Sequence, residues 1–443
     1  MQQTRTRRQI AAQASAALAS GAAGATVVAA CTGGSSEPAV SLKIERPTTV
    51  TLLLNGNLTG VTTDTQRQQY DEVFRPANPN ITVDFQGSGA SGPDHIAKIL
   101  SLSVAGTPPD AFFGTVGDMP ALAAKSTIRA VDDLVKADAK FKTDDWFDVH
   151  LGAWKYQGKQ RGLPWQGGPN ITYFNKELLA EAGVPEPTEA TWTYDAWRDA
   201  SNKLRRVMST GENPRWATHV ANWMNWVFAH GGDILDKEMK KCTLDSKESL
   251  AGIQLMADFI HRDKLAPSPQ ESNNATAQRL FMDKRAAIII MNRQDASAVG
   301  FIQPWVGVTQ LPKGPAGRFS QSNIDGFAMS NDTKVPAAAW EVMKWRTGDA
   351  FRRELLRKGS GGIPALKATA NSPEYLNDKL PPEWNRLFIQ SLNILKMAPP
   401  TPAWTEVVAL SGQAMTQVQR GEAAPASAVK DLVPRVNALL QTS

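Results

Sequence analysis

Residues 158–183 read GKQRGLPWQGGPNITYFNKELLAEAG, and this stretch decides the fold more than any other. Its Gly158–Lys159 pair predicts a hairpin turn. Its first proline keeps the preceding residue out of the helical region, so a short extended segment is expected at 162–165. The β-branched and aromatic run Ile171–Phe174 predicts a buried strand. Asn175 is then expected to cap a helix, which the last glycine of the stretch terminates.

The sequence before this stretch alternates between strand and helix patterns. Extended apolar runs predict strands at 49–54, 81–85 and 111–113. Segments with helical spacing lie between them at 65–74 and 96–104. This β-α-β-α-β order predicts a mostly parallel sheet in an α/β protein, whose ligands bind at loops after the carboxyl ends of strands. The polar residues of those loops are candidate ligand contacts: Asn55, Asn57, Ser88 and Asp118.

The sequence after the stretch adds further elements of the same kind. A buried strand is predicted at 286–291 and another at 324–330, and the second leads to a helix at 336–346. Asn292 and Arg293 directly follow the first of these strands, so we add both to the candidate ligand contacts.

Several motifs resemble those of the extracellular solute-binding proteins of sugar-type ABC importers, the family that includes maltose-binding protein. The opening stretch is similar to the family's GK-x-x-G-L-P turn and Y-N-K-x-L-x-x-x-A-G segment, with Phe174 where a second Tyr is frequent. AGTPPDAFF at 105–113 resembles G-x-P-P-D-V, and IDGFAMS at 324–330 resembles G-G-F-x-I-S. GSGGIP at 359–364 and the Pro-bounded Trp404 resemble two further family segments. The resemblance covers nearly all of the expected mature chain.

This resemblance implies a two-lobed α/β fold of the periplasmic-binding-protein type II kind, with a ligand cleft between the lobes. The implied first lobe comprises residues 40–163 and 327–368, and the second comprises 164–326 and 369–443. It also implies a monomer that closes its lobes on a carbohydrate or similar polyol and delivers it to the permease of an ABC transporter.

The resemblance also suggests roles for particular residues. Asp118 falls in a ligand-contacting loop, where a carboxylate can accept two sugar hydroxyls; the alternative is a turn or helix-cap residue. Arg293 stands near the place of a ligand-stacking Trp, and a guanidinium there favours an acidic or heavily hydroxylated ligand; the alternative is a surface residue at a strand end. The strand at 324–330 crosses between lobes in the family, which adds Asp325 and Gly326 to the candidates.

Tryptophan is frequent in this chain, with 13 residues against 5 tyrosines. An indole offers a large flat face to a sugar ring, whereas burying it requires a partner for its N–H group. We therefore expect several tryptophans to stack on the ligand, with core packing as the alternative. The candidates, together with the polar neighbour Gln166, are Trp165, Trp223, Trp226 and Trp404.

The first thirty residues, 1–30, are expected to be a signal peptide. Three arginines precede an Ala/Gly/Ser-rich apolar segment without acidic residues, which ends in small residues before Cys31. The run TRRQI resembles a twin-arginine export motif, and the Sec route is the alternative. Cys31 would be lipidated, and residues 31–39 would form a flexible tether that anchors the protein to the membrane.

Composition argues against several other classes of function. The formal charge of +5 falls to +2 once the three arginines of the expected signal peptide are removed, and no basic stripe predicts nucleic-acid binding. The 5 histidines and 2 cysteines show no metal-ligand spacing, so we expect no metal, no cofactor and no enzymatic activity. Two alternatives stay open: a secreted carbohydrate-active hydrolase, whose paired carboxylates need no fixed sequence spacing, and a solute-sensing receptor domain.

Overall fold

The computed structural model describes most of the chain after the expected tether. The expected signal peptide, Cys31 and the tether lie outside the described residues. No helix in the described part is long and apolar enough to cross a membrane. The described ranges are 40–208, 215–220, 222–294, 303–359, 361–376 and 382–442.

Strands and helices alternate along the chain. The strands are β1 (Thr48–Leu54), β2 (Ile81–Gly87), β3 (Ala111–Thr115), β4 (Lys155–Tyr156), β5 (Lys159–Gln160), β6 (Gly162–Gly167), β7 (Ile171–Asn175), β8 (Trp216–Thr218), β9 (Ala286–Met291), β10 (Val306–Thr309), β11 (Ser320–Gln321), β12 (Ile324–Met329) and β13 (Leu395–Lys396). The helices are α1 (Val61–Gln69), α2 (Arg75–Ala77), α3 (Pro93–Val104), α4 (Met119–Ala124), α5 (Asp132–Ala137), α6 (Asp148–Ala153), α7 (Lys176–Glu181), α8 (Tyr194–Met208), α9 (Trp223–Ala229), α10 (Lys247–His261), α11 (Ala277–Met282), α12 (Pro336–Thr347), α13 (Asp349–Arg357), α14 (Lys367–Ala370), α15 (Pro373–Leu376), α16 (Pro382–Gln390), α17 (Trp404–Arg420) and α18 (Pro425–Leu440).

The first lobe is built on a five-stranded sheet with the strand order β2-β1-β3-β12-β6. β1 pairs in parallel with β2 and β3, which confirms the predicted parallel arrangement. β12 returns to this sheet from the far part of the chain and pairs antiparallel with β3 and β6. β6 forms an edge of the sheet, and this is why it accommodates Pro164, a residue with no N–H to donate.

The second lobe is built on a four-stranded sheet with the strand order β10-β7-β9-β8. β7 lies antiparallel to β10 and β9, and β8 lies parallel to β9. Every residue of β7 and β9 is buried, because helices cover both faces of the sheet. This complete burial explains why both strands read as continuous apolar runs rather than as alternating patterns.

The opening stretch of the sequence folds largely as predicted. The hairpin β4–β5 turns at Gln157 and Gly158, one residue earlier than expected, and both have positive φ, 50° and 74°. Lys159 is already paired with Tyr156, so it belongs to the strand rather than to the turn. Asn175 caps α7 as predicted: its side chain accepts a hydrogen bond from the backbone N–H of Leu178 at 3.1 Å.

The chain passes between the two sheets at short connections. It leaves the first sheet after Gly167 and enters the second at Ile171, and it returns through residues 322–323. Phe327 and Leu163 are register partners inside the first sheet, so both connections lie a few residues away from the lobe boundaries drawn from the sequence. The two connections therefore leave from neighbouring strands, β6 and β12.

Candidate ligand-binding site

A cavity of about 260 Å³ lies where the two sheets meet. Its walls come from both connections between the sheets, from the residues that follow β9, and from the loop before Pro364. Amide, hydroxyl and charged side chains predominate among its lining residues, which are Gly167, Gly168, Pro169, Asn170, Asn222, Asn292, Arg293, Gln294, Gln321, Ser322, Asn323, Asp325, Gly362 and Ile363.

Gln166 forms hydrogen bonds to three of the segments that form the floor of this cavity. Its Nε2 donates to Oε1 of Gln294 at 3.0 Å and to Oδ2 of Asp325 at 3.2 Å. Its Oε1 accepts from the backbone N–H of Gly362 at 3.0 Å. Because the side chain is 1 % exposed, breaking this network would leave buried polar atoms unpaired. Gln166 thus orients the polar groups of the floor before any ligand arrives.

Amide side chains also arrange the wall contributed by the second lobe. Asn170 Nδ2 donates to the backbone oxygen of Gln321 at 3.1 Å, and Asn222 Nδ2 donates to the Gln321 Oε1 at 3.3 Å. The backbone N–H of Gln321 in turn donates to Oδ1 of Asn225 at 2.9 Å. Side chains of this type can donate to and accept from hydroxyl groups, and several of them converge here.

Asp325 places a carboxylate on the floor. Burial raises its pKa to about 6, while the hydrogen bond from Gln166 and the charge of Arg352 oppose that rise. Asp118 contributes a second carboxylate nearby, whose charge also acts on Asp325. Asp118 does not line the cavity; its Oδ2 accepts from the Thr115 hydroxyl at 2.7 Å, and its side chain does not cap the helix α4 that follows.

Arg293 lines the cavity from the second lobe. Its side chain is 8 % exposed, and its Nη1 donates to the backbone oxygen of Gly361 at 2.7 Å. The guanidinium carbon lies 4.4 Å from the centre of the Tyr375 ring, within the range of a cation–π contact. The residue is therefore not a solvated surface arginine at a strand end, and it holds a charged group beside Asn292 in the cavity wall.

Trp404 approaches the margin of the cavity from the second lobe. A methyl group placed at Gly117 would lie 3.3 Å from Cδ1 of Trp404 and 3.5 Å from Oδ1 of Asn323. Gly117 follows β3 in the first lobe, whereas Trp404 begins α17 and packs into the core of the second lobe. The indole is 4 % exposed, and the atoms that face Gly117 are Cδ1 and Nε1.

The other candidate tryptophans lie in the cores of the lobes rather than in the cavity. Trp165 packs edge-on against Phe113 and Phe327 in the first lobe. Because side chains alternate along a strand, Trp165 and its neighbour Gln166 point to opposite faces of β6. Trp223 and Trp226 belong to α9, whose residues are all buried in the second lobe.

Gly326 has a packing role between strands. It pairs with Gly114 and Pro164 in the register of the first sheet. A side chain at this position would overlap the Leu163 carbonyl and the ring of Trp154. Gly326 thus allows the crossing strand to lie close to its neighbours, and it does not line the cavity.

The loops after β1 and β2 contact each other instead of the cavity. Ser88 donates its hydroxyl to the backbone oxygen of Ala90 at 2.7 Å, and its N–H donates to Leu54 at 2.9 Å. Asn55 and Asn57 are exposed. The structure does not bring these three candidates into contact with the cavity lining.

Six polar residues of the lining were not among the sequence candidates. Gln321 to Asn323 precede the crossing strand, and this polar run next to an expected lobe boundary was a usable signal. Asn222 has a left-handed backbone with φ of 49°, and no sequence pattern indicates that conformation. The six residues are Asn170, Asn222, Gln294, Gln321, Ser322 and Asn323. Within the described ranges, no group of three or more His, Cys, Asp and Glu residues could hold a metal ion.

Comparisons with known proteins place this architecture in a family. Residues 61–351 match the family model described as bacterial extracellular solute-binding protein. A binding protein of Brucella abortus is 22% identical over 388 residues, covering 84% of this chain and 89% of that protein.

Two solved structures share the fold. An ABC substrate-binding protein of Listeria monocytogenes in complex with cycloalternan has a TM-score of 0.77 at 21% identity, covering 89% of this chain and 99% of that one. UgpB of Mycobacterium tuberculosis in complex with glycerophosphocholine has a TM-score of 0.75 at 17% identity, covering 88% and 98%. Because the family model spans well over half of the chain, this protein belongs to the bacterial extracellular solute-binding proteins.

Proposed function

We propose that this protein captures a carbohydrate, or a similarly hydroxylated solute, between its lobes and delivers it to the permease of an ABC transporter. The observation that carries the proposal is the polar cavity at the junction of the two sheets, with a floor that Gln166 has already organised. Preorganised donors and acceptors favour a ligand rich in hydroxyl groups, because each group finds a partner without reorganisation of the protein.

Closure of the lobes is the expected means of capture. The two short connections between the sheets would serve as hinges, and the contact between Gly117 and Trp404 would belong to the closed form. A ligand favours the closed form only if it binds that form more tightly than the open one. Contacts from both lobes to a single solute meet this requirement.

Export and anchoring complete the proposal. The family is extracellular, and the sequence before residue 40 predicts a cleaved signal peptide followed by a lipidated Cys31. Two acyl chains on that cysteine would hold the protein at the outer face of the cell membrane. The twin-arginine and Sec routes are both compatible with the leader.

The test is a thermal-shift screen of the mature protein against mono- and oligosaccharides and polyols, followed by calorimetry of the hits. A ligand at about 100 times its dissociation constant adds about 2.7 kcal/mol to the stability of the native state, which gives a clear shift. Absence of a shift with every hydroxylated solute would contradict the proposal. Incubation of a hit with the protein, followed by chromatography, should return the ligand intact, since we infer binding without catalysis.

A further inference from the structure

Three buried arginines cluster at the cavity, one in its wall and two behind that wall. Arg293 follows β9, Arg346 lies in the last turn of α12, and Arg352 lies in α13. Their side chains are 8 %, 1 % and 1 % exposed, respectively. Arginine is almost never buried to this degree without a charged partner, because removing a cation from water is costly. Three buried arginines whose charges act on one another therefore require a physical explanation.

The contacts around the two deeper guanidinium groups are mostly aromatic. Arg346 lies 4.1 Å from the centre of the Phe351 ring, and Arg352 lies 5.0 Å from the Trp165 ring. Arg352 Nη2 also donates to the backbone oxygen of Gly362 at 3.4 Å, a weak hydrogen bond. Ring faces attract cations but do not neutralise them, so the charges persist.

The hydrogen-bonding capacity of the cluster is also only partly used. Within the described ranges, the arginines form no ion pair within 4.0 Å, although such pairs occur elsewhere in the protein. Five nitrogen atoms of the cluster have no hydrogen-bond partner among the residues that the structure describes: Nε of Arg293, and Nε and Nη1 of both Arg346 and Arg352. Burial and mutual repulsion lower the pKa of Arg346 and Arg352 to about 9, so both stay charged at neutral pH.

One carboxylate faces this cluster in the described part of the chain. Asp325 interacts with Arg352 across the floor, and its Oδ2 also accepts a hydrogen bond from Nε2 of Gln166 at 3.2 Å. One negative charge against three positive charges leaves a positive field, which acts strongly in a cavity shielded from water.

Resting on the solute-binding function proposed above, we propose that the cavity takes an anionic solute, one in which a phosphate or carboxylate group accompanies the hydroxyl groups. The charged group binds at the wall formed by Arg293 and the Gly361–Ile363 loop, where a guanidinium can give two parallel hydrogen bonds. Arg352 and Arg346 lie behind this wall and attract the anion through the low-dielectric interior. The amide side chains of the opposite wall bind the hydroxyl groups.

Glycine at position 361 supports this arrangement. A methyl group there would lie 2.7 Å from Arg352 Nη2, and the backbone has φ of +124°, a conformation that other residues rarely adopt. The loop therefore approaches the guanidinium with its backbone, while its carbonyl oxygens accept from Arg293 and Arg352. The positive groups are held at the cavity wall rather than directed to solvent.

Calorimetry with solutes that share a ring and differ in charge tests the proposal. Glucose is compared with glucuronate and glucose 6-phosphate, and galactobiose is compared with digalacturonate. At least one anionic solute should bind tenfold or more tightly than its neutral partner, and the carboxylate and phosphate arms identify the group. Tighter binding of the neutral partners would overturn the inference and leave the proposed solute-binding function standing. No binding by any hydroxylated solute, charged or neutral, would remove both.

Variants of Arg293 connect the result to the cluster. Arg293→Gln should weaken binding of the anionic solute about tenfold to a hundredfold more than it weakens binding of the neutral partner. Arg293→Lys keeps the charge and should recover part of the affinity, which guards against a folding defect in the glutamine variant. Arg75→Gln removes an exposed arginine and is the matched control. Equal losses for charged and neutral solutes would contradict the inference.

Asp295 is an acidic residue two positions after Arg293 in the sequence, and it lies outside the described residues. An Asp295→Asn variant therefore belongs to the same series. Unchanged anion binding and an unchanged melting temperature are expected if the arginine cluster binds the anionic group of the solute. A fall in melting temperature together with new binding of anions that the wild type does not bind would identify Asp295 as the counter-charge, and would overturn the inference.

Discussion

Gly117 of the first lobe and Trp404 of the second lobe are in contact at the margin of the cavity, where only a residue without a side chain fits comfortably. A methyl group at position 117 would lie 3.3 Å from Cδ1 of the indole, closer than nine in ten contacts of this kind in proteins. The backbone of Gly117 has no positive φ, so the constraint comes from the opposite lobe rather than from local conformation.

Replacing Gly117 by Val is expected to weaken ligand binding at least tenfold while lowering the melting temperature only slightly. The larger side chain would separate the lobes without disturbing either core. Calorimetry and small-angle scattering with saturating ligand measure the two effects. Gly412→Ala, within α17 and with no atom near the added methyl group, is the control. Normal affinity and normal compaction in Gly117→Val would exclude a closed form with this contact.

Trp226→Ala is expected to destabilise the protein by about 3–5 kcal/mol, as is usual for a large aromatic side chain removed from a core. The Trp226 ring lies 5.0 Å from the ring of Trp197 and 5.0 Å from that of Phe259, and its side chain is 0 % exposed. Urea unfolding measures the loss. Trp216→Ala, at a partly buried position, should cost less. A small loss of stability together with a large loss of ligand affinity would show that Trp226 contacts the ligand instead.

The stability of the protein should depend on the ionisation of Asp325. Its pKa rises from 3.8 to about 6 on folding, mainly through burial, and the groups that face it are Gln166, Arg352 and Asp118. A carboxyl group with a raised pKa contributes stability below about pH 4 and loses that contribution as the pH rises through about 6. The wild type should therefore lose stability relative to Asp325→Asn across this window. Urea unfolding of both proteins from pH 4 to pH 7 measures the difference, and a difference that does not change with pH contradicts the assignment.

His150 should contribute stability with the opposite sign. Burial lowers its pKa to about 4 although Nε2 lies 2.9 Å from the backbone oxygen of Gly167. The contribution is present above pH 6.5 and is lost as the pH falls through about 4, up to roughly 3 kcal/mol. The advantage of the wild type over His150→Asn should shrink on acidification from pH 7. Unfolding curves at several pH values measure it, and a constant advantage would show that the pKa of His150 is the same in the folded and unfolded states.

Cys31→Ser is expected to release the protein from the membrane fraction, since the acyl chains proposed for this cysteine would be absent. Cell fractionation followed by immunoblotting measures the distribution. Cys242→Ser changes the buried cysteine of the second lobe and is the matched control, expected to stay in the membrane fraction. A Cys31→Ser protein that still sediments with membranes would contradict lipid anchoring at this position.

The sequence was sufficient for the architecture because apolar periodicity and turn residues act locally. The three parallel strands and the Asn175 cap follow from neighbouring residues and were found. Asn292 and Arg293 were also identifiable, because residues that follow a buried strand lie at the edge of a sheet. Gln166 was reached through its place in the opening stretch, but its partners lie more than a hundred residues away, and no local pattern indicates them.

The positions of the tryptophans are not predictable from the sequence alone. An indole that stacks on a ligand and an indole that fills a core can stand in the same helical or extended pattern, and tertiary packing decides between them. Trp226 and Trp165 lie in cores, and their N–H groups have no partner within the described residues. The expectation that a buried indole always finds a partner for its N–H therefore overestimated the number of tryptophans available to a ligand.

The pairing of Gly167 with Ile324 has a mechanical consequence. Two connections between the lobes leave from these register partners. The chain crosses again after α13, since Phe351 packs in the core of the first lobe and Tyr375 packs in that of the second, and Gln166 bridges to Pro364 on this third segment. The proposed rotation of one lobe relative to the other would then have its hinge close to Gln166. In the closure proposed above, groups beside the pivot, such as Asp325, would move little, whereas Gly117 and Trp404 would move furthest. The cavity floor would then contact a solute already in the open form, and the contact at the rim would form only on closure.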